Sequence, residues 1–225
     1  MILAAGLGTR LKPFTAFHPK ALFKVNGKTL LEHAIDHLKT AGIREVIINV
    51  HHFSQQILNF LKRHDNFGMQ ITISDETGEL LETGGGLKKS AWFFKGCDFA
   101  VIRNVDILSD LDLSKMAAYH LENKPLATLA VRNRETSRYL LFDDHMQLCG
   151  WENRNKGEKM ISRESTSATP FAFSGMQIIS HDIFPLITEE GKFSLTEMYL
   201  RLAASQKIIG YLEEGKVWKD VGRKT

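Results

Sequence analysis

The stretch Met1-Ile2-Leu3-Ala4-Ala5-Gly6-Leu7-Gly8-Thr9-Arg10-Leu11-Lys12-Pro13-Phe14-Thr15-Ala16-Phe17-His18-Pro19-Lys20-Ala21-Leu22 opens the chain, and the rest is organised around it. Residues 1–5 form a short apolar run, which predicts a buried strand. It breaks at Gly6 and Gly8, where the backbone can take φ > 0 and a ligand can come close. Arg10 and Lys20 follow. Bare backbone N–H groups beside two cations suit a polyphosphate, which needs many donors and charge neutralisation together. Two familiar phosphate loops do not fit. A dinucleotide fingerprint needs a third glycine at position 11, which is Leu11, and a P-loop needs one at position 22, which is Leu22. Pro13 and Pro19 stop the loop from running straight into a long helix.

The chain has 225 residues, 43% hydrophobic and 24% charged, which suits one globular α/β domain with a sizeable core. Its net charge of +3 is a mild excess and gives no indication of nucleic-acid binding. Cys97 and Cys149 belong to no C-x-x-C pair and read as reduced core thiols. The apolar start is too short for a signal peptide. No apolar run approaches the roughly 18 residues of a membrane span. A cytoplasmic protein is expected.

Beyond the loop, residues 25–28 read as a tight turn. Thr29 and Glu32 have capping-box spacing, and Leu30, Leu31, Ala34, Ile35 and Leu38 recur at helical intervals up to Gly42. Residues 45–50 predict a buried parallel strand, 53–64 a helix with Ile57, Phe60 and Leu61 inward, and 69–74 a third strand. Thr83-Gly84-Gly85-Gly86 introduces a predicted helix to residue 94, and 99–102 a fourth strand ending at Asn104-Val105-Asp106. This alternation predicts a Rossmann-like parallel sheet, with ligands at the carboxyl ends of its strands. The second half reads as strands over 126–131, 139–142, 146–149, 172–178 and 208–212, with a helix over 194–205. Residues 143–145 predict a hairpin turn, and the polar stretch 152–169 a mobile loop.

The opening stretch resembles the signature of sugar-1-phosphate nucleotidylyltransferases, the nucleoside-diphosphate-sugar pyrophosphorylases. The family pattern L-A-A-G-x-G-T-R-[LM]-x-P-x-T-x-x-x-P-K-x-[LM] is met at every specified position from Leu3 to Leu22. Later segments extend the resemblance over nearly the whole chain. It implies a three-layer α/β/α domain with a mixed, mostly parallel central sheet, the nucleotide-diphospho-sugar transferase fold. A single domain over 1–225 would then divide into a nucleotide-binding half, 1–110, and a sugar-phosphate-binding half, 111–225. The family usually carries a few more residues before the first strand and a longer C-terminal helix.

The implied reaction is attack of a sugar 1-phosphate oxygen on the α-phosphorus of a nucleoside triphosphate, with pyrophosphate leaving. The nucleophile is already anionic, so no general base is needed, and positioning and charge neutralisation carry the catalysis. Arg10 is expected on the β- and γ-phosphates and Lys20 on the α-phosphate. Asp106 and Asp220 would hold a Mg²⁺ ion, the latter through Asp220-Val221-Gly222. Leu3, Ala5, Gly6, Gly8, Thr9, Thr83 and Gly84 are expected to hold the nucleotide. Asn104, Glu152, Lys156, Ser174 and Gly175 are expected on the sugar-phosphate side, the last two through Phe173-Ser174-Gly175. Val105 stands where the family usually has glycine, which gives the sugar a different wall, and Arg223 where a threonine is common. His51-His52 is set aside as a metal site because strand neighbours face opposite ways. Asp110-Leu111-Asp112 reads as a helix cap.

Residues 79–86, Glu-Leu-Leu-Glu-Thr-Gly-Gly-Gly, look most like those of the N-acetylmuramate-1-phosphate uridylyltransferases of cell-wall recycling, which points to UTP. Mannose- and heptose-1-phosphate guanylyltransferases share much of the pattern. A regulatory homologue that binds sugar nucleotide without turnover stays open, because the Val105 and Arg223 departures permit it.

Overall fold

Consecutive strand residues point to opposite faces of a sheet, and the first strand shows the result. In the computed structural model, which describes residues 1–222, β1 is Ile2–Leu3. Ile2 and Ala4 pack into an apolar cluster on one face, and Met1 and Leu3 into a cluster on the other. A strand covered on both sides can be apolar throughout.

A tight hairpin of β2 (Lys24–Val25) and β3 (Lys28–Thr29) leads into α1 (Leu30–Thr40). The capping box is present: Glu32 N donates to Thr29 Oγ1 at 3.1 Å, and Thr29 N donates to Glu32 Oε2 at 2.6 Å. Gly42, just beyond the helix, takes φ +81°, the left-handed stop that glycine supplies cheaply. There follow β4 (Glu45–Val50), α2 (Ser54–Arg63), β5 (Gln70–Asp75), α3 (Glu82–Lys89), β6 (Phe99–Asn104), β7 (Ile107–Ser109) and α4 (Leu113–Asn123). Strand β1 lies between β4 and β6, and β4 beside β5, all parallel. Asp112 caps α4, accepting from Ser114 N and Lys115 N at 3.0 and 3.1 Å, as its position predicts.

The second half supplies β8 (Ala127–Arg132), β9 (Arg138–Phe142), β10 (Leu148–Asn153), β11 (Glu158–Ile161), β12 (Thr169–Ser180), α5 (Leu195–Ala203), β13 (Ile208–Leu212) and β14 (Trp218–Asp220). Long β12 runs antiparallel to β6, β8 and β9 and joins the two halves into one mixed ten-stranded sheet. Helices α1, α2 and α4 bury Leu31, Ile57 and Met116 in the Ile2 cluster. Helices α3 and α5 bury Leu87 and Met198 in the Leu3 cluster. The result is the expected three-layer α/β/α arrangement. Among the described residues no helix is long and apolar enough to cross a membrane.

Three expectations need correction. Residues 152–169 are not one mobile loop, because β10 and β11 pair antiparallel from Gly150 opposite Ile161 to Asn153 opposite Glu158. All four residues of β11 are exposed, so this edge strand needs no apolar alternation and its composition looks like loop. The helix expected after the glycine run instead contains it. Cys149 is buried as expected, but Cys97 is exposed.

Buried His120 lies 2.8 Å from Thr128 Oγ1 and 3.1 Å from Ser180 Oγ. Burial pushes its pKa down to about 4, against about 6.5 in an unfolded chain. The unfolded state therefore takes up the proton first. Stability from this group is complete above about pH 6.5 and is lost as the pH falls towards 4, by up to about 3 kcal/mol. Urea midpoints measured across that window are expected to fall, and to fall less in His120→Gln.

Candidate functional site

The parallel strands deliver their carboxyl ends to one edge of the sheet, where backbone groups are free to meet ligands. Leaving β1, Ala4 N donates to Asn49 Oδ1 at 2.7 Å, which fixes where the phosphate-loop candidate begins. The loop then folds as three short 3₁₀ turns, Thr9–Leu11, Phe14–Ala16 and Lys20–Leu22. Of the two glycines, Gly8 alone takes positive φ, +61°. A Cβ there would lie 2.9 Å from Lys20 Cβ and 3.0 Å from Thr15 Cγ2, so Gly8 lets the loop close on Lys20. A Cβ at Gly6 would meet nothing within 4 Å, so its contribution is open space.

Lys20 ends in an ion pair with Asp106 Oδ2, and the two side chains are only 11% and 16% exposed. Asp106 follows β6, while β14 runs antiparallel to β7 with Asp220 opposite Ile107. Val221 N donates to Asp106 O at 3.0 Å, which stitches the two distant segments together, and Gly222 N donates to Asp220 Oδ1 at 2.9 Å within the second of them. The convergence is sharpest at Gly222. A Cβ on that residue would touch Lys20 Nζ and would lie 2.7 Å from Asp106 Oδ2 and 3.0 Å from Asp220 Oδ1. Two carboxylates and an ammonium thus surround a space that only a missing side chain keeps open. The hard oxygen donors match a Mg²⁺-type ion, which takes one or two carboxylates alongside phosphate oxygens.

Two cavities meet at this point. One, of about 350 Å³, is lined by Leu3, Ala5, Gly6, Lys20, Thr83 and Asp106 among others. The second, of about 260 Å³, shares Asn104 with the first and has Gly175, Arg134, Trp151, Trp218 and Asp220 in its wall. Arg134 lies over the Trp218 ring, 4.1 Å from its centroid, and Trp218 Nε1 donates to Ser174 O at 3.0 Å.

Residues 1–145 match the sequence profile of the family described as Nucleotidyl transferase. An N-acetylmuramate alpha-1-phosphate uridylyltransferase of Caulobacter vibrioides is 31% identical over 99% of this chain and 90% of its own. The chain belongs to the nucleotidyl transferase family. A mannose-1-phosphate guanyltransferase of Yarrowia lipolytica is 28% identical over 99% of this chain, which spans 60% of that relative. In fold, the transferase is similar to a solved putative glucose-1-phosphate thymidylyltransferase from Bacillus anthracis, with TM-score 0.79 and 20% identity over 98% of this chain and 88% of that one.

Not every expected site residue of this transferase reaches the cavities. Arg10 and Thr9 are exposed on the first 3₁₀ turn and line neither cavity. Gly84 lies behind the wall: its N–H donates to Phe193 O at 2.9 Å and so is not free to read a base edge. Thr83 Oγ1 accepts from Leu195 N at 3.0 Å, which ties α3 to α5. Glycines 84–86 are closely packed: a Cβ on any of them would strike Phe193, Gly191 or Glu76. A Cβ at Gly85 would strike Gly191 O and sit 2.9 Å from Leu81 Cβ. Gly85→Ala is expected to cost about 1–3 kcal/mol of stability, measured by urea unfolding.

Glu152 lies in β10 paired with Arg154 at 2.7 Å, and Lys156 sits in the β10–β11 turn, 3.6 Å from Glu158. Neither residue lines either of these two cavities. Gly175 does reach the second cavity. It takes φ +84°, and a Cβ would lie 2.5 Å from Ile107 Cγ1. Ser174 is buried behind it. Val105, at 4% exposure, packs in the apolar core and also lines the first cavity, and Val105 N donates to Leu3 O at 3.1 Å. Arg223 lies outside the described residues. The reading of the sequence missed Asn49, Leu80, Glu82 and Ser194 in the first cavity. Asn49 carried a signal, since it is the one polar side chain in the apolar run Val46-Ile47-Ile48-Asn49-Val50.

Proposed function

We propose that this chain joins a nucleoside triphosphate to a sugar 1-phosphate, giving an NDP-sugar and pyrophosphate, with UTP and N-acetylmuramate 1-phosphate as substrates. The observation that carries the reading is the convergence of Lys20, Asp106 and Asp220 where the two cavities meet. The triphosphate occupies the first cavity, with Leu3, Ala5, Gly6 and Thr83 around it and Gly8 holding the loop closed. The sugar phosphate enters the second, past Asn104 and Gly175. In this reading residues 1–110 form the nucleotide half and 111–225 the sugar-phosphate half of one domain, with Ser194 crossing one way and Asn104 and Ile107 the other.

In the reaction, a sugar-phosphate oxygen forms a new bond to the α-phosphorus while the bond from the α-phosphorus to the α–β bridging oxygen breaks. Pyrophosphate leaves with that electron pair. Lys20 Nζ neutralises the charge that gathers on the α-phosphate, and Arg10 serves the β- and γ-phosphates of the leaving group. Asp106 and Asp220 would hold Mg²⁺, which supplies charge neutralisation and alignment of the phosphate oxygens when bound. The near-full-length relation to a uridylyltransferase acting on N-acetylmuramate 1-phosphate supports the choice of substrates.

The experiment is pyrophosphate release with Mg²⁺, crossing the common nucleoside triphosphates with a panel of sugar 1-phosphates. UTP with N-acetylmuramate 1-phosphate is expected to give the highest kcat/KM. A higher value for GTP with mannose 1-phosphate would replace the substrate reading and keep the reaction. Release with no pair would leave a sugar-nucleotide-binding homologue instead.

A further inference from the structure

Glu76 follows β5, is fully buried, and is not among the groups that the proposed reaction uses. Burying a carboxylate is costly unless its oxygens are hydrogen-bonded. Here each oxygen accepts a bond. Oε1 accepts from Asn49 Nδ2 at 2.7 Å, and Oε2 from Leu81 N at 3.3 Å. Asn49 is 2% exposed, and its amide is held in one orientation: Oδ1 accepts from Ala4 N at 2.7 Å, which turns Nδ2 towards Glu76. The backbone of Glu76 is pinned as well. Its N donates to Val50 O at 2.8 Å, and its O accepts from His51 Nδ1 at 2.6 Å. One side chain therefore links three segments: Ala4 just past β1, Asn49 near the end of β4, and Leu81 just ahead of α3.

Those three segments wall the first cavity. Ala5 and Gly6 come from the first, Asn49 from the second, and Leu80 and Thr83 from the third. Glu76 itself lines neither that cavity nor the second. Gly86, on α3, makes room for the link: a Cβ there would lie 2.6 Å from Glu76 Oε1 and 2.9 Å from Asn49 Nδ2. We propose that Glu76 is a positioning residue for the nucleoside triphosphate. Through Asn49 and Leu81 it holds the walls of the first cavity at the spacing the nucleotide needs, without touching the nucleotide itself. The proposal rests on the placement of the triphosphate in that cavity proposed above.

The test uses two variants that disturb the link from different sides. Glu76→Gln keeps the shape of the side chain, but its amide has one acceptor oxygen where the carboxylate has two, so Asn49 Nδ2 or Leu81 N loses its acceptor. Gly86→Ala keeps the carboxylate and drives a methyl group against Oε1 and Asn49 Nδ2. Both are read by calorimetric titration with UTP and by steady-state kinetics with Mg²⁺. Each variant is expected to weaken UTP binding and raise the KM for UTP by about tenfold, the size of one lost buried hydrogen bond. The kcat and the KM for sugar 1-phosphate are expected to stay within about twofold of wild type. A lowered unfolding midpoint with unchanged UTP affinity would make Glu76 a scaffold residue only and overturn the proposal. An equal rise in the KM for sugar 1-phosphate would mean general loosening and overturn it too. If Glu76→Gln does not fold, Gly86→Ala decides alone. Wild-type protein that binds UTP and releases no pyrophosphate would sink the reaction, and the titrations would still decide the role of Glu76. Wild-type protein that binds no nucleoside triphosphate would overturn both.

Discussion

Lys20→Ala is expected to lower kcat by about 10²–10³-fold while the protein still folds. Lys20 reaches the cavity junction from a loop pinned by Gly8 and Thr15, with Thr15 Oγ1 donating to Gly8 O at 2.9 Å. Its ammonium pairs with Asp106, and Lys20 lines the first cavity. Charge developing between the sugar phosphate and the α-phosphate would therefore lose its fixed neutralising group, a loss of about 2–4 kcal/mol in transition-state stabilisation. The fold pays less. Removing the ammonium takes away the ion-pair partner of Asp106, costing about 1–3 kcal/mol. Steady-state kinetics with urea unfolding on the same sample checks both parts. Near-normal kcat would take Lys20 out of the mechanism.

The second large effect is expected at a residue that carries no chemistry. Gly222 has an ordinary backbone φ, so alanine meets no conformational penalty there. What the methyl group meets is Lys20 Nζ, Asp106 Oδ2 and Asp220 Oδ1, at the centre of the cradle. Gly222→Ala is expected to cut kcat by about 10²-fold or more and to raise the Mg²⁺ concentration needed for half-maximal rate, since displaced ligands cannot close on a small, geometrically demanding ion. Thermal unfolding midpoints should stay near the wild-type value. Full activity at ordinary Mg²⁺ would mean that the ion binds elsewhere.

The nucleotide half of the fold could be read in the chain because its signals are local. The capping box at Thr29, the helical spacing from Leu30 to Leu38 and the apolar strand around Ile47 each specify one element within a few residues. Glycines were harder, because their purpose lies in what packs against them. Glycines 84–86 look like a ligand-approach loop until the Phe193 ring and Gly191 O are seen against them. The strand over Glu158–Ile161 was hidden for a related reason: an exposed edge strand has no buried face to print a pattern. The partnership of Asp106 with Asp220 spans more than a hundred residues and depends on β14 pairing with β7, which no short-range periodicity encodes. It came only with the family resemblance. Glu76 gave no warning, since a carboxylate just past a strand reads as a loop residue until its hydrogen bonds are traced.

Everything in the mechanism depends on a divalent ion lying between Asp106 and Asp220 beside Gly222. The most direct measurement is a crystal structure with Mn²⁺ and a non-hydrolysable UTP analogue, with the ion located by its anomalous signal. The account predicts a peak beside both carboxylates, with Lys20 moved onto the phosphate. Nucleotide bound in the first cavity with the ion away from both carboxylates would contradict it.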